Sequence, residues 1–412
     1  MQVCKRCLYG SYHPLNITFD DDGICSGCLV HDEKDIIDWT EKENDLKKLV
    51  NAYKSKSKGL FDCIVPVSGS RDSFFIVDYV VNVLKLHPLL VTYNKQYSTK
   101  EGFYNLALIK RKFDCDLVTK TVDPSVVKKI TRATLRRFGS IYWHCIAGQT
   151  VFPVEAAISF KTPLIIWGAH QGLDQVGMFS HHDQVEMTRK YRKEHDLMGY
   201  EAEDLISDFD FLKEEDVTPY KYPSDSKLDS SGVRGIYLNN YVRWDTFSQH
   251  MKMRIYGQAS RNQARSFDTF SNSDCYMYAD LHDHIKYIKH GYGVVVDHAV
   301  RDIRLGHITR EEAINSISKY LNSSPKYKHL FLDWLGLDSN AFDYLIDQHR
   351  SPNVWARATD WKWQPNKLNL ADSLNTFKNS SVMEEGLTHF PEVKSINSQD
   401  PNEQFLLYGK GS

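Results

Sequence analysis

The chain has 412 residues, 42% hydrophobic and 12% aromatic, too long for one ordinary core and rich enough for two or three. Its 51 basic and 53 acidic residues leave a net charge of −2, which gives no general electrostatic case for nucleic acid or an anionic membrane. No apolar run reaches the roughly eighteen residues of a membrane span. No secretory leader is expected, and four of the eight cysteines are scattered; this fits a reducing cytosol, so the expected location is cytoplasmic.

Residues 1–34 are dominated by Cys4, Cys7, Cys25 and Cys28, in a C-x2-C-x17-C-x2-C frame. Two such pairs supply the four thiolates of a tetrahedral structural zinc site and leave no open position for catalysis. The frame is expected to serve folding and docking. Residues 35–59 are expected to hold a connecting helix over 35–54, with Ile36, Trp39, Leu46, Leu49, Val50 and Tyr53 near one face, and then a polar linker.

An α/β stretch is expected over 60–249. Cys63–Val67 reads as a buried parallel strand, 72–85 as a buried helix, Leu89–Tyr93 as a second strand, 101–113 as a helix, Leu117–Val122 as a third strand and Leu164–Trp167 as a fourth. Residues 181–235 are charged and weakly periodic, and predict a polar excursion or lid over the sheet edge. Ile236–Trp244 reads as a further strand. Residues 250–365 read as mainly helical, with a capping box at Thr309–Glu312 and a helix near 340–349. Residues 366–412 read as a peripheral tail.

Between the first strand and its helix lies Ser68-Gly69-Ser70-Arg71-Asp72-Ser73. A loop in that context points backbone N–H groups at an anion, and the helix dipole favours negative charge there. Ser68, Ser70 and Ser73 add hydroxyls and Arg71 adds charge. Neither a Walker A motif nor G-x-G-x-x-G is present. Thr92, Tyr93, Asn94, Gly168 and His170 fall at strand C-termini, the rim where open α/β sheets bind ligands.

The loop resembles the S-G-G-x-D-S signature of the PP-loop ATP pyrophosphatases, with Ser70 where the second glycine usually stands. That departure matters if the position needs a positive φ. The chain looks like the N-acetyl sugar amidotransferase family, which includes pseudaminic and legionaminic acid amidotransferases. The likeness is carried by Cys4-Lys-Arg-Cys7-Leu, Phe19-Asp20, Gly23-Ile-Cys25-Ser-Gly-Cys28, Ile166-Trp167-Gly168, Ile236-Tyr-Leu and Arg243-Trp244-Asp245. Gly291-Tyr-Gly293, Asp302-Ile-Arg304-Leu-Gly306 and Ile308–Ala313 extend it, so that it covers roughly residues 1–360.

The resemblance implies a parallel-sheet PP-loop domain between the zinc knuckle and a helical C-terminal region. It implies ATP and Mg²⁺ at the loop, with Ser68, Gly69, Ser70, Thr92, Tyr93, Asn94 and Gly168 holding nucleotide. Arg71, Asp72 and Ser73 would carry the chemistry, and His170, Asp302 and Arg304 would contact substrate. The implied reaction turns the acetamido group of a bacterial sugar into acetamidino, through an adenylylated imidate attacked by ammonia, with release of AMP and pyrophosphate. Surface glycan would be the destination. Cys63, Cys145 and Cys275 lack a Gly-x-Cys-x-Gly elbow, so ammonia is expected from a separate glutaminase subunit or from solution.

Other polar groups have blander readings. His181-His182-Asp183 reads as a solvated loop, and Asp280-Leu-His282-Asp283-His284 as structural. His298 belongs to the family-like run, and Arg357, Trp361 and Trp363 read as core packing before sugar site. Two rival functions fit the same motifs: a PP-loop tRNA-modifying enzyme, disfavoured by the neutral charge, and a non-catalytic assembly subunit with a degenerate loop.

Overall fold

The computed structural model describes residues 2–54 and 56–366. The expected tail, 366–412, lies outside them except for Asn366. The centre is a five-stranded, all-parallel sheet in the order β3-β2-β1-β4-β5. Its strands are β1 (Cys63–Pro66), β2 (Pro88–Tyr93), β3 (Leu117–Lys120), β4 (Leu164–Trp167) and β5 (Arg234–Tyr237). The fold class is the expected parallel-sheet α/β domain, with the cysteine cluster before it and a mainly helical region after it.

Every residue of β2 is buried, as a central strand covered on both faces requires. Val65, Leu90, Leu164, Ile166 and Ile236 form one core with Phe74 and Val77 of α3 (Arg71–Asp78) and Leu108 of α4 (Lys100–Lys112). Ile64, Leu89, Val91 and Ile165 form another with Val151, Val154 and Ala157 of α6 (Trp143–Ser159). The alternation places helices on both sides, and the strand order reverses direction at β1, between β2 and β4. That reversal point is where such sheets open a crevice.

Several expectations are corrected. The helix expected over 35–54 is two, α1 (Ser26–Ile36) and α2 (Trp39–Lys54), separated where Ile37 turns extended. Ile36 is 77% exposed, and the buried face belongs to Leu46 and Val50. The strand expected over 236–244 is shorter and earlier, at 234–237, and continues as a 3-10 turn. Two helices between the third and fourth strands escaped the sequence reading, α5 (Pro124–Phe138) and α6. The signals for α5 were present: Asp123 caps it, Pro124 opens it and Gly139 closes it at φ +61°.

The stretch 181–235 is not a polar lid. Glu186 bridges Ile236 of β5, and short helices and the loops between them carry Leu197, Leu205, Leu212, Val217 and Tyr220 into the core that also holds Trp143 and Phe331. His181 is buried, not solvated; its N–H donates to Glu33 Oε2 at 2.6 Å. The buried Arg192–Glu201 ion pair knits the same region.

The C-terminal region runs through helices at Thr246–Met253, Asp283–His290, Val294–Arg304, Arg310–Tyr320, Lys328–Leu335 and Ser339–Asp347. It ends in a hairpin of β6 (Trp355–Arg357) and β7 (Trp363–Pro365). The Thr309 capping box forms as its spacing predicts. Asp280 and Asp283 are structural: Asp280 accepts from the N–H groups of Lys326 and Tyr327, and Asp283 pairs with Arg265 at 2.6 Å. His298 bonds Ser266 Oγ at 2.6 Å.

Candidate functional site

Two centres stand out, and both lie near the C-terminal edge of the sheet. The first is the four-cysteine cluster. All four residues are fully buried, and their sulfur atoms lie within 4.8 Å of one another. Cys4 and Cys28 Sγ are 3.9 Å apart, and Cys7 and Cys25 Sγ 3.6 Å. Tetrahedral zinc with 2.3 Å bonds needs sulfurs roughly 3.8 Å apart, so the donor set fits the ion. Bound there, zinc would cross-link two loops and the start of α1, with no position left for a reacting group.

Arg304 completes this cluster. Its Nε donates to Cys28 Sγ at 3.4 Å, one terminal nitrogen to Cys25 Sγ at 3.4 Å, and the other to the Gln175 carbonyl at 2.5 Å. A buried guanidinium offsets the negative charge that four thiolates leave on a divalent ion. The substrate role expected of Arg304 is therefore corrected: its donors are already engaged. Asp302 is likewise fully buried, paired to Arg301 at 2.8 Å.

The cluster docks on the loop that follows β4. Lys34 of α1 bonds Asp174 at 2.8 Å, Ser26 Oγ donates to the Val176 carbonyl at 2.7 Å, and Arg304 holds Gln175. A Cβ at Gly177 would lie 2.3 Å from the Ser26 carbonyl oxygen, so backbone meets backbone there. The knuckle thus fixes the β4 rim.

The second centre is the loop between β1 and α3. Gly69 has φ +80°, and a Cβ on it would lie 2.6 Å from the Gly102 carbonyl oxygen; only glycine fits. Ser70 caps α3 with φ −86° and ψ −177°, an extended backbone open to any residue. The missing second glycine therefore costs no strain. Ser73 Oγ accepts from Ser68 N–H at 3.1 Å, and Ser68 Oγ from Ser70 N–H at 3.2 Å. The serines first shape the loop itself.

Other expected residues sort themselves at the rim. Tyr93 turns inward, its hydroxyl 3.0 Å from that of Tyr220 and 3.2 Å from His144 Nδ1; the adenosine contact expected of it is corrected. Thr92 is buried with it. Asn94 stays at the strand end, donating to Thr121 Oγ1 at 3.3 Å. Gly168 ends β4, where a Cβ would meet Ile76 Cδ1 at 2.7 Å. His170 is 2% exposed, ringed by Tyr191, Tyr237 and Phe179 at 4.3–5.5 Å. Burial pushes its pKa down to about 4, so the imidazole is neutral, and its Nε2 has no partner among the described residues. Trp361 is 76% exposed, and Trp363 lies under Arg357 at 3.8 Å.

The sequence reading missed the residues that hold the loop in place. Asn105 of α4 donates to the Gly69 carbonyl at 2.8 Å and to the Ala259 carbonyl at 3.0 Å. Thr99 caps α4 and meets Ser273 and Asp274. Lys95, just past β2, pairs with Asp274 at 2.6 Å. Burial alone would lower the Lys95 pKa, but the charge and hydrogen bond of Asp274 together with the neighbouring Cys275 and Cys145 raise it on balance, and the ammonium is stabilised. No local spacing links these partners; only the fold does.

The segment that covers the loop belongs to a recognisable module. Residues 255–368 match the family model described as LPS biosynthesis protein WbpG-like, C-terminal domain. An uncharacterised protein of Methanocaldococcus jannaschii is 26% identical over 118 residues, 28% of this chain and 41% of that protein. The chain thus spans about two fifths of the length of the curated relative it matches. Two solved structures share 11% identity: an NH3-dependent NAD synthetase from Campylobacter jejuni, TM-score 0.28, covering 55% of this chain and 99% of that one, and an NMN synthetase from Francisella tularensis, TM-score 0.25, covering 53% and 93%. The matched residues include the 258–274 stretch, which bonds to the Ser68–Ser73 loop, and the Val294–Arg304 helix that reaches the cysteines. Among the described residues no helix is long and apolar enough to cross a membrane.

Proposed function

We propose that the chain is an ATP-dependent ligase of glycan biosynthesis, and specifically an amidotransferase that converts an acetamido group of a bacterial sugar, a nonulosonic acid or a relative, to acetamidino. The observation that carries this is one juxtaposition. A PP-loop-like Ser/Gly loop sits at the switch point of a parallel sheet, and a WbpG-like module lies on it.

The chemistry matches the site. The amide oxygen of the acceptor attacks the α-phosphorus of ATP, and pyrophosphate leaves. The O-adenylyl imidate then has AMP as a leaving group, which a free amide lacks. Ammonia adds to the imidate carbon, AMP departs, and the amidine keeps both nitrogens. The loop backbone, the α3 dipole and the Ser68 and Ser73 hydroxyls stabilise phosphate charge as it develops. Arg71 and Asp72 stand at the first turn of α3, where charge near the phosphates matters most. Mg²⁺ accompanying ATP offsets the triphosphate charge. Ammonia comes from a separate glutaminase subunit or from solution, and the reaction is cytoplasmic.

The test is incubation with ATP, Mg²⁺, ammonium and a panel of acetamido sugars, read by mass spectrometry. Replacement of oxygen by NH, with AMP and pyrophosphate released in step, is the expected result. ADP and phosphate, or no amidine on any sugar, would sink the reading. Tight, salt-sensitive binding of tRNA would point instead to the tRNA-modifying alternative.

A further inference from the structure

Ser70 takes the position that the S-G-G-x-D-S signature gives to glycine, yet its extended backbone asks for no glycine. What the hydroxyl does is specific. Ser70 Oγ accepts from Asn272 N–H at 3.0 Å and donates to the Phe270 carbonyl at 3.3 Å, across some two hundred residues of chain. The turn it grips is braced from behind. Asp268 Oδ1 accepts from the N–H groups of Phe270 and Ser271, both at 2.8 Å, and its Oδ2 lies 3.0 Å from Arg301 on the Val294–Arg304 helix. Asn105 ties Ala259 to Gly69, and Thr99 N–H donates to the Asp274 carbonyl at 3.1 Å. The stretch from 259 to 274 is thus fastened to the phosphate loop and to α4 at both ends and through its middle.

The same stretch carries buried polar groups with no partner among the described residues. They include both amide atoms of Gln258, Ser260 Oγ, Thr269 Oγ1 and Ser273 Oγ, beside Arg261 Nη1 and Gln263 Oε1. Gln258, Ser260, Thr269 and Ser273 are each no more than 8% exposed. Buried hydrogen-bonding groups left unsatisfied are unfavourable, and in native proteins they signal a ligand or ordered water. Neutral amide and hydroxyl groups suit the hydroxyls and amide of a sugar.

We infer that Ser70 is a positioning residue that fastens the 258–274 stretch to the phosphate loop, and that this stretch is the wall receiving the acetamido sugar. The inference rests on the proposed function, which requires the acceptor amide to reach the α-phosphorus beside the loop. It turns the departure from the signature into a coupling between the nucleotide site and the WbpG-like module.

Calorimetry on the full chain separates the two sites, with α,β-methylene-ATP as nucleotide probe and N-acetylneuraminic acid as acetamido probe. Ser70→Gly and Gln258→Leu are each expected to weaken the sugar acid roughly tenfold or more, and Gln258→Leu is expected to leave nucleotide affinity within about twofold of wild type. Ser70→Thr, which keeps the hydroxyl, is expected to restore sugar binding. Thermal melting confirms that each variant folds. Parallel loss of nucleotide affinity in Ser70→Gly would overturn the inference, since Ser70 would then only shape the loop. Unchanged sugar binding in both variants overturns it too, because water alone would fill the stretch. No sugar binding by the wild-type chain also overturns it, while the proposed function stands or falls on the amidine assay.

Discussion

The four clustered cysteines all come from one short stretch near the N-terminus, whereas the Ser68–Ser73 loop is held by two distant parts of the chain. Cys4, Cys7, Cys25 and Cys28 need only their spacing to converge. The loop needs Ser68 and Ser73 within it, Asn105 on α4, and the turn at 270–272 in the WbpG-like module. A metal knuckle is energetically self-contained because zinc–thiolate bonds supply the free energy of its folding. A phosphate cradle must instead present backbone to a ligand, so its own backbone has to be held from outside. The two meet through the Val294–Arg304 helix, where Arg301 braces the loop's turn and Arg304 reaches the thiolates.

The comparison can be broken most severely at the metal. Chelation, or Cys25→Ser, should unfold residues 1–36 and release the 174–177 loop, since structural zinc contributes on the order of 10 kcal/mol to such modules. Limited proteolysis near Gly177 should appear with metal loss, and metal content should fall to zero. A protein that keeps its protection without metal would show that the knuckle is held by packing alone.

Gly69→Ala attacks the other centre. A left-handed backbone costs an L-residue about 1–2 kcal/mol, and the new Cβ would also press on the Gly102 carbonyl oxygen. ATP affinity should fall by about tenfold or more while metal content is unchanged. Equal affinity for ATP would remove the loop from the nucleotide site.

Arg304→Met tests the link between the two centres. Loss of a hydrogen-bonding neighbour of a metal ligand typically lowers affinity about 10- to 100-fold. A competition assay with a zinc chelator should show that drop, with secondary structure retained.

The smallest effect is expected at His307, whose Nε2 lies 3.1 Å from Asp245, the cap of the Thr246–Met253 helix. The hydrogen bond to Asp245 raises the His307 pKa above its usual 6.5, against the opposing effect of burial. Its stabilisation is therefore complete below about pH 6.5 and is lost as pH rises through the raised folded-state value. His307→Asn should lower the melting temperature at about pH 6 by an amount worth up to about 1 kcal/mol, and by less at about pH 9. An equal difference at both pH values would mean that the charge contributes nothing.

Much of this protein was legible in one dimension. The four cysteines, the strand–loop–helix at 63–78 and the capping box at 309–312 each depend on residues close in sequence. Apolar runs such as Leu89–Tyr93 and Leu164–Trp167 marked strands because central parallel strands are buried on both faces. The stretch 181–235 was misread because its few apolar residues are separated by many charges, and only packing against Trp143 and Phe331 reveals them as core. Tyr93 was assigned to nucleotide because it ends a strand, but a strand position does not say whether its side chain turns toward the rim or into the core.

By itself the sequence determined which four cysteines converge, the parallel α/β class and the position of the Ser68–Ser73 loop between strand and helix, because spacing and local burial settle those. Tertiary structure decided what holds the loop, that Arg304 serves the thiolates and Ser70 the C-terminal module. The Ser70 and Arg304 contacts join residues two hundred or more positions apart, and no local pattern encodes a pairing that exists only once the chain has closed on itself.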